Sequence, residues 1–234
     1  MLEALNLRKA YGGHEVLRGV SLQVRPGSIH GLVGANGAGK TTLINCLYGL
    51  DPAFEGQARV SEAPPGTLVR DYAGLVPYEP FFYSRLTGRE YVDFCRQARG
   101  RPVADLQGWN QVLELPLDQY ATEYSAGMQK KLALLAVLVQ DFSYLILDEP
   151  FNGLDLEASL LLKQLLRRLR ARGTGILLTS HQLSTLLELA DEATVLVGHG
   201  QPPRHYPAAA LPTLEADLLA ALHQDKLRQL DGLL

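Results

Sequence analysis

The sequence predicts an α/β fold with a mostly parallel sheet as its core, an amino-terminal antiparallel β subdomain and a helical insertion. Three observations lead to this prediction. From residue 29 onwards, short apolar runs alternate with segments of helical spacing, as in βαβ units. Residues 1–28 instead have strand patterning, clearest in the apolar and polar alternation of residues 20–24. Residues 77–143 are mainly helical in character and separate two groups of predicted core strands.

Local signals define the individual elements. Further strands are expected at residues 29–33, 56–60, 72–76, 144–147, 176–179 and 194–197. Helices are expected at residues 39–48, 87–98, 125–139, 156–171 and 183–189. Thr87, followed by Glu90 three residues later, has the spacing of a capping box. The tail, residues 207–234, carries leucines at roughly helical spacing, which predicts an amphipathic helix.

Length and composition place the chain among globular proteins. It has 234 residues, 47% of them hydrophobic, and a formal net charge of −3. This balance gives no reason to expect a nucleic-acid partner, because such proteins usually carry a basic surplus. The longest apolar run, Leu132 to Val139, is far shorter than the roughly 20 residues that cross a bilayer. We therefore expect a cytoplasmic chain that does not itself span a membrane.

A glycine-rich turn between a predicted strand and a predicted helix carries the first functional signal. It has the G-x-x-x-x-G-K-[ST] pattern, in which glycines let backbone N–H groups approach a phosphate and the helix adds its positive dipole end. The predicted phosphate-binding residues are Gly34, Ala35, Asn36, Gly37, Ala38, Gly39, Lys40, Thr41 and Thr42. Lys40 is expected to contact the β- and γ-phosphates, and the Thr41 hydroxyl is expected to ligate Mg²⁺.

Polar residues follow two of the predicted core strands directly. Asp148 and Glu149 come after residues 144–147, and His181 follows residues 176–179. In parallel sheets, ligands gather at the carboxyl ends of the strands. Asp148 suits a contact with Mg²⁺, Glu149 can polarise a water molecule, and an imidazole can contact the γ-phosphate. An isolated Asp-Glu pair would favour an exposed turn, but the upstream glycine-rich turn favours a nucleotide site.

A second polar segment, Ser125-Ala126-Gly127-Met128, stands at the start of the long apolar helix. The Ser125 hydroxyl and the amides of Ala126 and Gly127 could hold a phosphate. A plain N-cap accounts for Ser125 equally well, and nothing local places it near Lys40.

Four segments, in this order, resemble the ATP-binding subunit of ABC transporters: GANGAGKTT, YSAGMQKKLALLAVLVQ, YLILDEPFNGLD and TSH. The resemblance covers about residues 1–205. It implies a RecA-like P-loop core, ATP and Mg²⁺ as cofactors, and an ATP-binding domain at residues 1–206 with the helical tail after it. It also implies a second ATP-binding subunit, with a homodimer expected, and a permease subunit that holds the chain at the inner face of the cell membrane.

The resemblance assigns roles to single residues. In the family, two subunits meet head to tail and sandwich two ATP molecules, so the signature segment Ser125 to Met128 would contact the γ-phosphate of the partner's ATP. Asp155 matches the D-loop, which links the two sites. Glu149 would be the general base, His181 the switch histidine, and Tyr11 the aromatic residue that stacks on adenine.

Two departures from the family pattern bear on the activity. The signature is Y-S-A-G-M where the family has L-S-G-G-Q, and S-x-G-M variants resemble short exporter subunits. Tyr78 stands where the Q-loop glutamine is expected, and a phenol with a pKa of about 10 is a poor Mg²⁺ ligand. We expect hydrolysis to survive, at a reduced rate.

The aromatic residues Tyr78, Phe81, Phe82 and Tyr83 are predicted either to contact the permease or to fill the seam between insertion and core.

Other classes of P-loop protein fit the sequence less well. DNA-repair members of the ABC family insert long coiled coils before the signature, whereas here 84 residues without heptads separate Lys40 from Ser125. GTPases carry an N-K-x-D motif, which this sequence lacks. We therefore predict an ATP-hydrolysing subunit of a transporter, with export as the favoured direction. A soluble non-transport ABC ATPase and a weakly hydrolysing ABC subunit are the alternatives.

Overall fold

A computed structural model describes residues 1–100, 105–197 and 202–218 of the chain. The strands are β1 (Leu2–Tyr11), β2 (His14–Val24), β3 (Ile29–Gly34), β4 (Glu55–Val60), β5 (Ala73–Val76), β6 (Tyr144–Leu147), β7 (Gly175–Thr179), β8 (Glu192–Leu196) and β9 (Arg204–Tyr206). The helices are α1 (Lys40–Tyr48), α2 (Gly88–Gln97), α3 (Leu106–Leu113), α4 (Ala126–Leu138), α5 (Leu156–Ala171), α6 (Leu183–Leu189) and α7 (residues 211–218). Among the described residues, no helix combines the length and apolar character needed to cross a bilayer.

The larger sheet has the order β5-β6-β7-β3-β8-β9 and is parallel except for β9, which pairs antiparallel with β8. Every residue of β6, β7 and β8 is buried, as expected of strands that helices cover on both faces. The predicted mostly parallel core is therefore confirmed. Strand β8 begins two residues before the predicted position, at Glu192, and β9 was not predicted.

The smaller sheet is antiparallel, in the order β2-β1-β4, and confirms the predicted amino-terminal β subdomain. Helix α1 connects the two sheets, because its buried residues Leu43, Ile44 and Leu47 pack in one apolar cluster with residues of both. The glycine-rich turn before α1 is thereby held at the carboxyl end of β3, between the two sheets.

The insertion contains α2, α3 and α4. Helix α4 packs against the edge strand β5, and α2 and α3 pack on α4. Gly74 of β5 permits this close packing, because a Cβ there would lie 2.2 Å from Val137 of α4. The predicted capping box is present: the backbone N–H of Glu90 donates to Thr87 Oγ1 at 3.2 Å, and that of Thr87 donates to the Glu90 carboxylate at 2.9 Å.

The aromatic residues after β5 divide into two groups. Phe82 is buried, with its ring centroid 4.7 Å from that of Tyr91, so it fills the seam beneath the insertion. Phe81 is 71% exposed, and Tyr78 and Tyr83 are also exposed.

Helix α7 packs through Leu214 on the far side of the core, and the rest of the predicted tail helix lies outside the described residues.

Candidate active site

The glycine-rich turn encloses the side chain of Lys40. Gly39 caps α1 with φ 99°, a left-handed conformation that a side chain would strain. Lys40 is buried, and its ammonium group donates to the carbonyl oxygens of Gly34 at 2.7 Å and Ala35 at 3.3 Å. A positive charge thus lies inside the turn, at the start of a helix, which is a suitable environment for phosphate groups.

Asp148 links the glycine-rich turn to the neighbouring strand. Its Oδ2 accepts a hydrogen bond from the Thr41 hydroxyl at 2.8 Å, and its Oδ1 accepts one from the Thr179 hydroxyl at 2.7 Å. The Thr179 hydroxyl oxygen in turn accepts from the backbone N–H of Glu149 at 2.7 Å. Asp148 is almost fully buried, so these hydroxyl partners stabilise its carboxylate.

Glu149 has an unusual backbone and a tightly defined carboxylate. Its φ is +50°, in the left-handed region that few residues other than glycine adopt. Its Oε2 accepts from the backbone N–H of His181 at 3.0 Å and lies 2.7 Å from the Nδ1 of the same histidine. The side chain of His181 is half-exposed, so the imidazole stands between the buried carboxylate and the open cleft.

Lys130 reaches this region from α4, and the sequence assigned it no role. Its ammonium group donates to the carbonyl oxygen of Glu149 at 2.8 Å and lies 5.4 Å from the ring centroid of Tyr78. The Tyr78 hydroxyl accepts from the amide of Asn152 at 3.2 Å. Burial lowers the pKa of Lys130, against the opposing effect of the Glu149, Asp148 and Glu79 carboxylates. The sequence feature that could have indicated a role for Lys130 is the pair of lysines in the first turns of an otherwise apolar helix.

Tyr11 lies at the other end of the site, with its ring half-exposed. Its hydroxyl donates to Asp51 Oδ2 at 2.7 Å, and the Lys9 ammonium donates to Asp51 Oδ1 at 2.6 Å while lying 4.8 Å from the ring centroid. The hydrogen bond to Asp51 raises the pKa of Tyr11, and the bond from Lys9 lowers the pKa of Asp51. Sequence reasoning missed Asp51, because its partners lie 40 or more residues away.

One cleft of about 720 Å³ brings most of the predicted site residues together. It is lined by Tyr11, Val16, Asn36, Gly37, Gly39, Lys40, Thr41, Thr42, Tyr78, Asp148, Glu149, Asn152 and His181. The arrangement places an aromatic ring at one end, the glycine-rich turn in the middle and two carboxylates with an imidazole at the other end. These groups could hold a nucleotide and remove a proton from a water molecule.

The segment from Ser125 to Met128 does not line this cleft. Ser125 is exposed and caps α4, with its Oγ accepting from the backbone N–H of Met128 at 3.3 Å. Gly127 lies against the carbonyl of Gly153, which a Cβ would approach to 3.2 Å. Asp155 is also exposed and caps α5 by accepting from the backbone N–H of Ala158 at 2.8 Å. The structure therefore places these segments side by side on the surface, outside the cleft of their own chain.

Comparisons with known proteins indicate the family of this chain. The family model described as ABC transporter matches residues 17–152. The chain is 31% identical over 203 residues to the SkfA peptide export ATP-binding protein SkfE of Bacillus subtilis (strain 168), covering 84% of this chain and 85% of that protein. It is 34% identical over 203 residues to the autoinducer 2 import ATP-binding protein LsrA of Enterobacter sp. (strain 638), covering 84% of this chain and 41% of that protein. A solved ATP-binding subunit of an ABC transporter superposes with a TM-score of 0.77 at 29% identity, covering 84% of this chain and 86% of the other.

Proposed function

This chain belongs to the ABC transporter family, as one of its ATP-binding and ATP-hydrolysing domains, and we propose that it powers export through ATP-driven closure of a dimer. The observation that carries the proposal is the division of the motifs between two surfaces. The cleft holds Lys40, Thr41, Asp148, Glu149 and His181, whereas Ser125 lies outside it and faces solvent. A second copy, placed head to tail, would bring its Ser125 to the open side of this cleft.

Each end of the cleft has a separate task in this proposal. Tyr11 stacks on the adenine ring, and the glycine-rich turn with Lys40 binds the phosphates. Glu149 accepts a proton from the attacking water, and His181 orients that water and the γ-phosphate through its contact with the carboxylate. The D-loop residue Asp155 fixes the start of α5 next to the Gly127 segment.

The donor set fits Mg²⁺ held together with nucleotide phosphates. Thr41 Oγ1 and Asp148 Oδ2 lie 2.8 Å apart, and both are the oxygen ligands that this cation prefers. In the part of the chain that the structure describes, no group of three or more His, Cys, Asp or Glu residues could hold a metal by itself. Mg²⁺ usually takes one or two protein ligands and completes its shell with phosphates and water. When bound, it would neutralise phosphate charge.

The direction and the partner are inferred from the signature and from the exposed aromatic residues. The segment S-A-G-M resembles that of short exporter subunits, and one relative is named for peptide export, although another is named for import. Phe81 and Tyr83 present exposed rings next to the insertion, with centroids 5.2 Å apart. We assign this pair to the contact with a permease subunit at the inner face of the membrane, because exposed aromatic residues are enriched at interfaces.

A slowly hydrolysing subunit is the second candidate, and Tyr78 favours it. The Tyr78 ring lines the cleft where the family has a glutamine, and a neutral phenol is a weak ligand for Mg²⁺. On this reading the chain would bind ATP and dimerise but turn over slowly.

ATP-dependent dimerisation tests the proposal. The variant Glu149→Gln is mixed with Mg²⁺ and ATP, and its mass is followed by light scattering. We expect a monomer without ATP and a dimer with it, because bound ATP is not consumed. The double variant Glu149→Gln with Lys40→Ala is the control and should stay monomeric. A Glu149→Gln protein that remains monomeric at saturating ATP would contradict dimer closure.

A further inference from the structure

Lys130 connects the insertion to the backbone of Glu149. It lies in the second turn of α4, whose N-cap is Ser125, and its ammonium group donates to the carbonyl oxygen of Glu149 at 2.8 Å. The side chain is partly buried, which reduces the competition from water for this bond. The next residue, Lys131, also reaches a carbonyl oxygen, but that of Leu113 in α3, at 3.4 Å.

The bond from Lys130 acts on a residue whose backbone needs support. Glu149 has φ +50°, and such conformations persist where the surroundings hold them. Its N–H donates to Thr179 Oγ1 at 2.7 Å, and its carbonyl oxygen accepts from Lys130 and from the backbone N–H of Asn152 at 3.2 Å. Both backbone polar groups of Glu149 are therefore held by partners, and the peptide orientation sets the direction of its carboxylate.

Lys130 also contacts the residue that replaces the Q-loop glutamine. Its ammonium group lies 5.4 Å from the ring centroid of Tyr78, within the range of a cation–π interaction. The Tyr78 hydroxyl accepts from the side chain of Asn152, whose own N–H donates to Glu149. Lys130, Tyr78, Asn152 and Glu149 thus form a closed ring of contacts at the carboxyl end of β6.

From this ring of contacts we propose that Lys130 is a positioning residue for ATP hydrolysis, which holds the Glu149 backbone and the Tyr78 ring in the geometry that turnover requires. The proposal rests on the proposed role of Glu149 as the general base. Lys130 does not line the cleft, so it acts through Glu149. Its positive charge also lies near the Glu149, Asp148 and Glu79 carboxylates, which interact with it favourably.

Steady-state ATPase assays on four proteins test the proposal: the unsubstituted chain, Lys130→Met, Lys130→Arg and Lys131→Met. Methionine keeps an unbranched, flexible side chain up to the ε position but removes the ammonium group, and with it the donor and the charge. Arginine keeps both and stacks well on aromatic rings. Lys131→Met is the matched control, because it removes the neighbouring lysine of the same helix, whose partner lies away from the cleft.

We expect Lys130→Met to lower kcat about tenfold or more while KM for ATP stays within about twofold, because phosphate binding does not depend on the Glu149 peptide. Lys130→Arg should recover kcat to within about threefold of the unsubstituted chain. Lys131→Met should leave both constants unchanged. This split between kcat and KM, with recovery by arginine, is not expected of a residue that only stabilises the fold.

Three results would overturn the proposal. The first is a kcat for Lys130→Met within about threefold of the unsubstituted value. The second is an equal loss of kcat in Lys131→Met. The third is thermal unfolding of Lys130→Met below the assay temperature. The last result would assign Lys130 to fold stability. Glu149→Gln, assayed in parallel, separates this inference from the proposed function. If Glu149→Gln hydrolyses ATP at the unsubstituted rate, the base assignment fails; if it is inactive while Lys130→Met is fully active, only the role of Lys130 fails.

Discussion

The Nδ1 atom of His181 lies 2.7 Å from Oε2 of Glu149, and the backbone N–H of the same histidine donates to the same oxygen at 3.0 Å. This pair joins the carboxyl ends of β6 and β7, which are hydrogen-bonded neighbours in the parallel sheet. The carboxylate is buried and the imidazole is half-exposed. This geometry fits the proposed roles of Glu149 as a buried general base and of His181 as an imidazole that faces the cleft and orients that base.

Replacement of Glu149, the proposed general base, should stop turnover without preventing ATP binding. We expect Glu149→Gln to lower kcat by about 100-fold or more, because a positioned base contributes on this order to proton transfer. Its affinity for ATP should be retained, since Lys40 and the glycine-rich turn are unchanged. The control is Glu157→Gln, which removes an exposed carboxylate at the start of α5. Phosphate release in single-turnover assays is measured for both variants. Hydrolysis by Glu149→Gln at the unsubstituted rate contradicts the assignment of Glu149 as the general base.

The adenine end of the cleft should affect KM more than kcat. We expect Tyr11→Ala to raise KM for ATP about tenfold, because stacking of a base on an aromatic ring is of this order. Asp51→Ala should raise KM less and in the same direction, because it removes the carboxylate that holds the Tyr11 hydroxyl and the Lys9 ammonium. Tyr120→Ala, an exposed tyrosine of the insertion, should change nothing. Equal KM values for Tyr11→Ala and Tyr120→Ala would remove Tyr11 from the site.

Ser125 caps α4, and its proposed second role is a phosphate contact in the partner's site. The Thr87 cap of α2 serves as the comparison that separates the two roles. Loss of either the Ser125 cap or the Thr87 cap should lower the free energy of unfolding by about 1 kcal/mol. Only Ser125→Ala should also lower kcat, by about tenfold or more, because it removes a phosphate contact made across the dimer. Urea titrations and ATPase assays on both variants provide the comparison. If Thr87→Ala loses as much activity, Ser125 is a helix cap and nothing more.

The acid stability of the fold should depend on Glu192, which lies beside His30, Arg25 and His205 in the parallel sheet. His30 in particular holds the pKa of Glu192 below its usual range, against the effect of burial. A carboxyl group with a lowered pKa stabilises the fold above its unfolded-state pKa of about 4.3, and this contribution is lost as the pH falls through the folded-state value.

Guanidinium titrations at pH 6 and below pH 4.3 measure this contribution. The unsubstituted chain should lose more stability between the two conditions than Glu192→Gln, which cannot titrate at this position. An equal loss of unfolding free energy in the two proteins would show that other carboxyl groups determine the stability of the fold at acid pH.

The sequence predicted most of the core and the cleft because the motifs sit at the ends of buried strands. Asp148, Glu149 and His181 follow strands that pair in the parallel sheet, so their proximity follows from the topology. Lys130 and Asp51 were missed for the opposite reason. Their partners are brought to them by helix packing and by the small sheet. The lysine pair in the apolar helix α4 marks Lys130 as unusual, but it does not indicate which group Lys130 contacts.

The aromatic residues after β5 mark another limit of sequence reasoning. Phe81 and Phe82 are adjacent and chemically identical, yet Phe81 is 71% exposed and Phe82 is buried. Which ring enters the seam depends on the direction of the loop above Tyr91, a tertiary feature. The seam interpretation is therefore confirmed for Phe82, and the contact with a permease stays a proposal for its exposed neighbours.

The central claim is that each ATP site is completed by Ser125 of a second chain, and mixing two inactive variants tests it directly. Lys40→Ala disables the cleft of its own chain, and Ser125→Arg disables only the partner's site. In a mixed dimer, the Ser125→Arg chain supplies an intact cleft and the Lys40→Ala chain supplies an intact Ser125. An equal mixture should regain about a quarter of the unsubstituted activity, because half of the dimers are mixed and each holds one intact site. A mixture no more active than the mean of the two variants alone would contradict a site shared between chains.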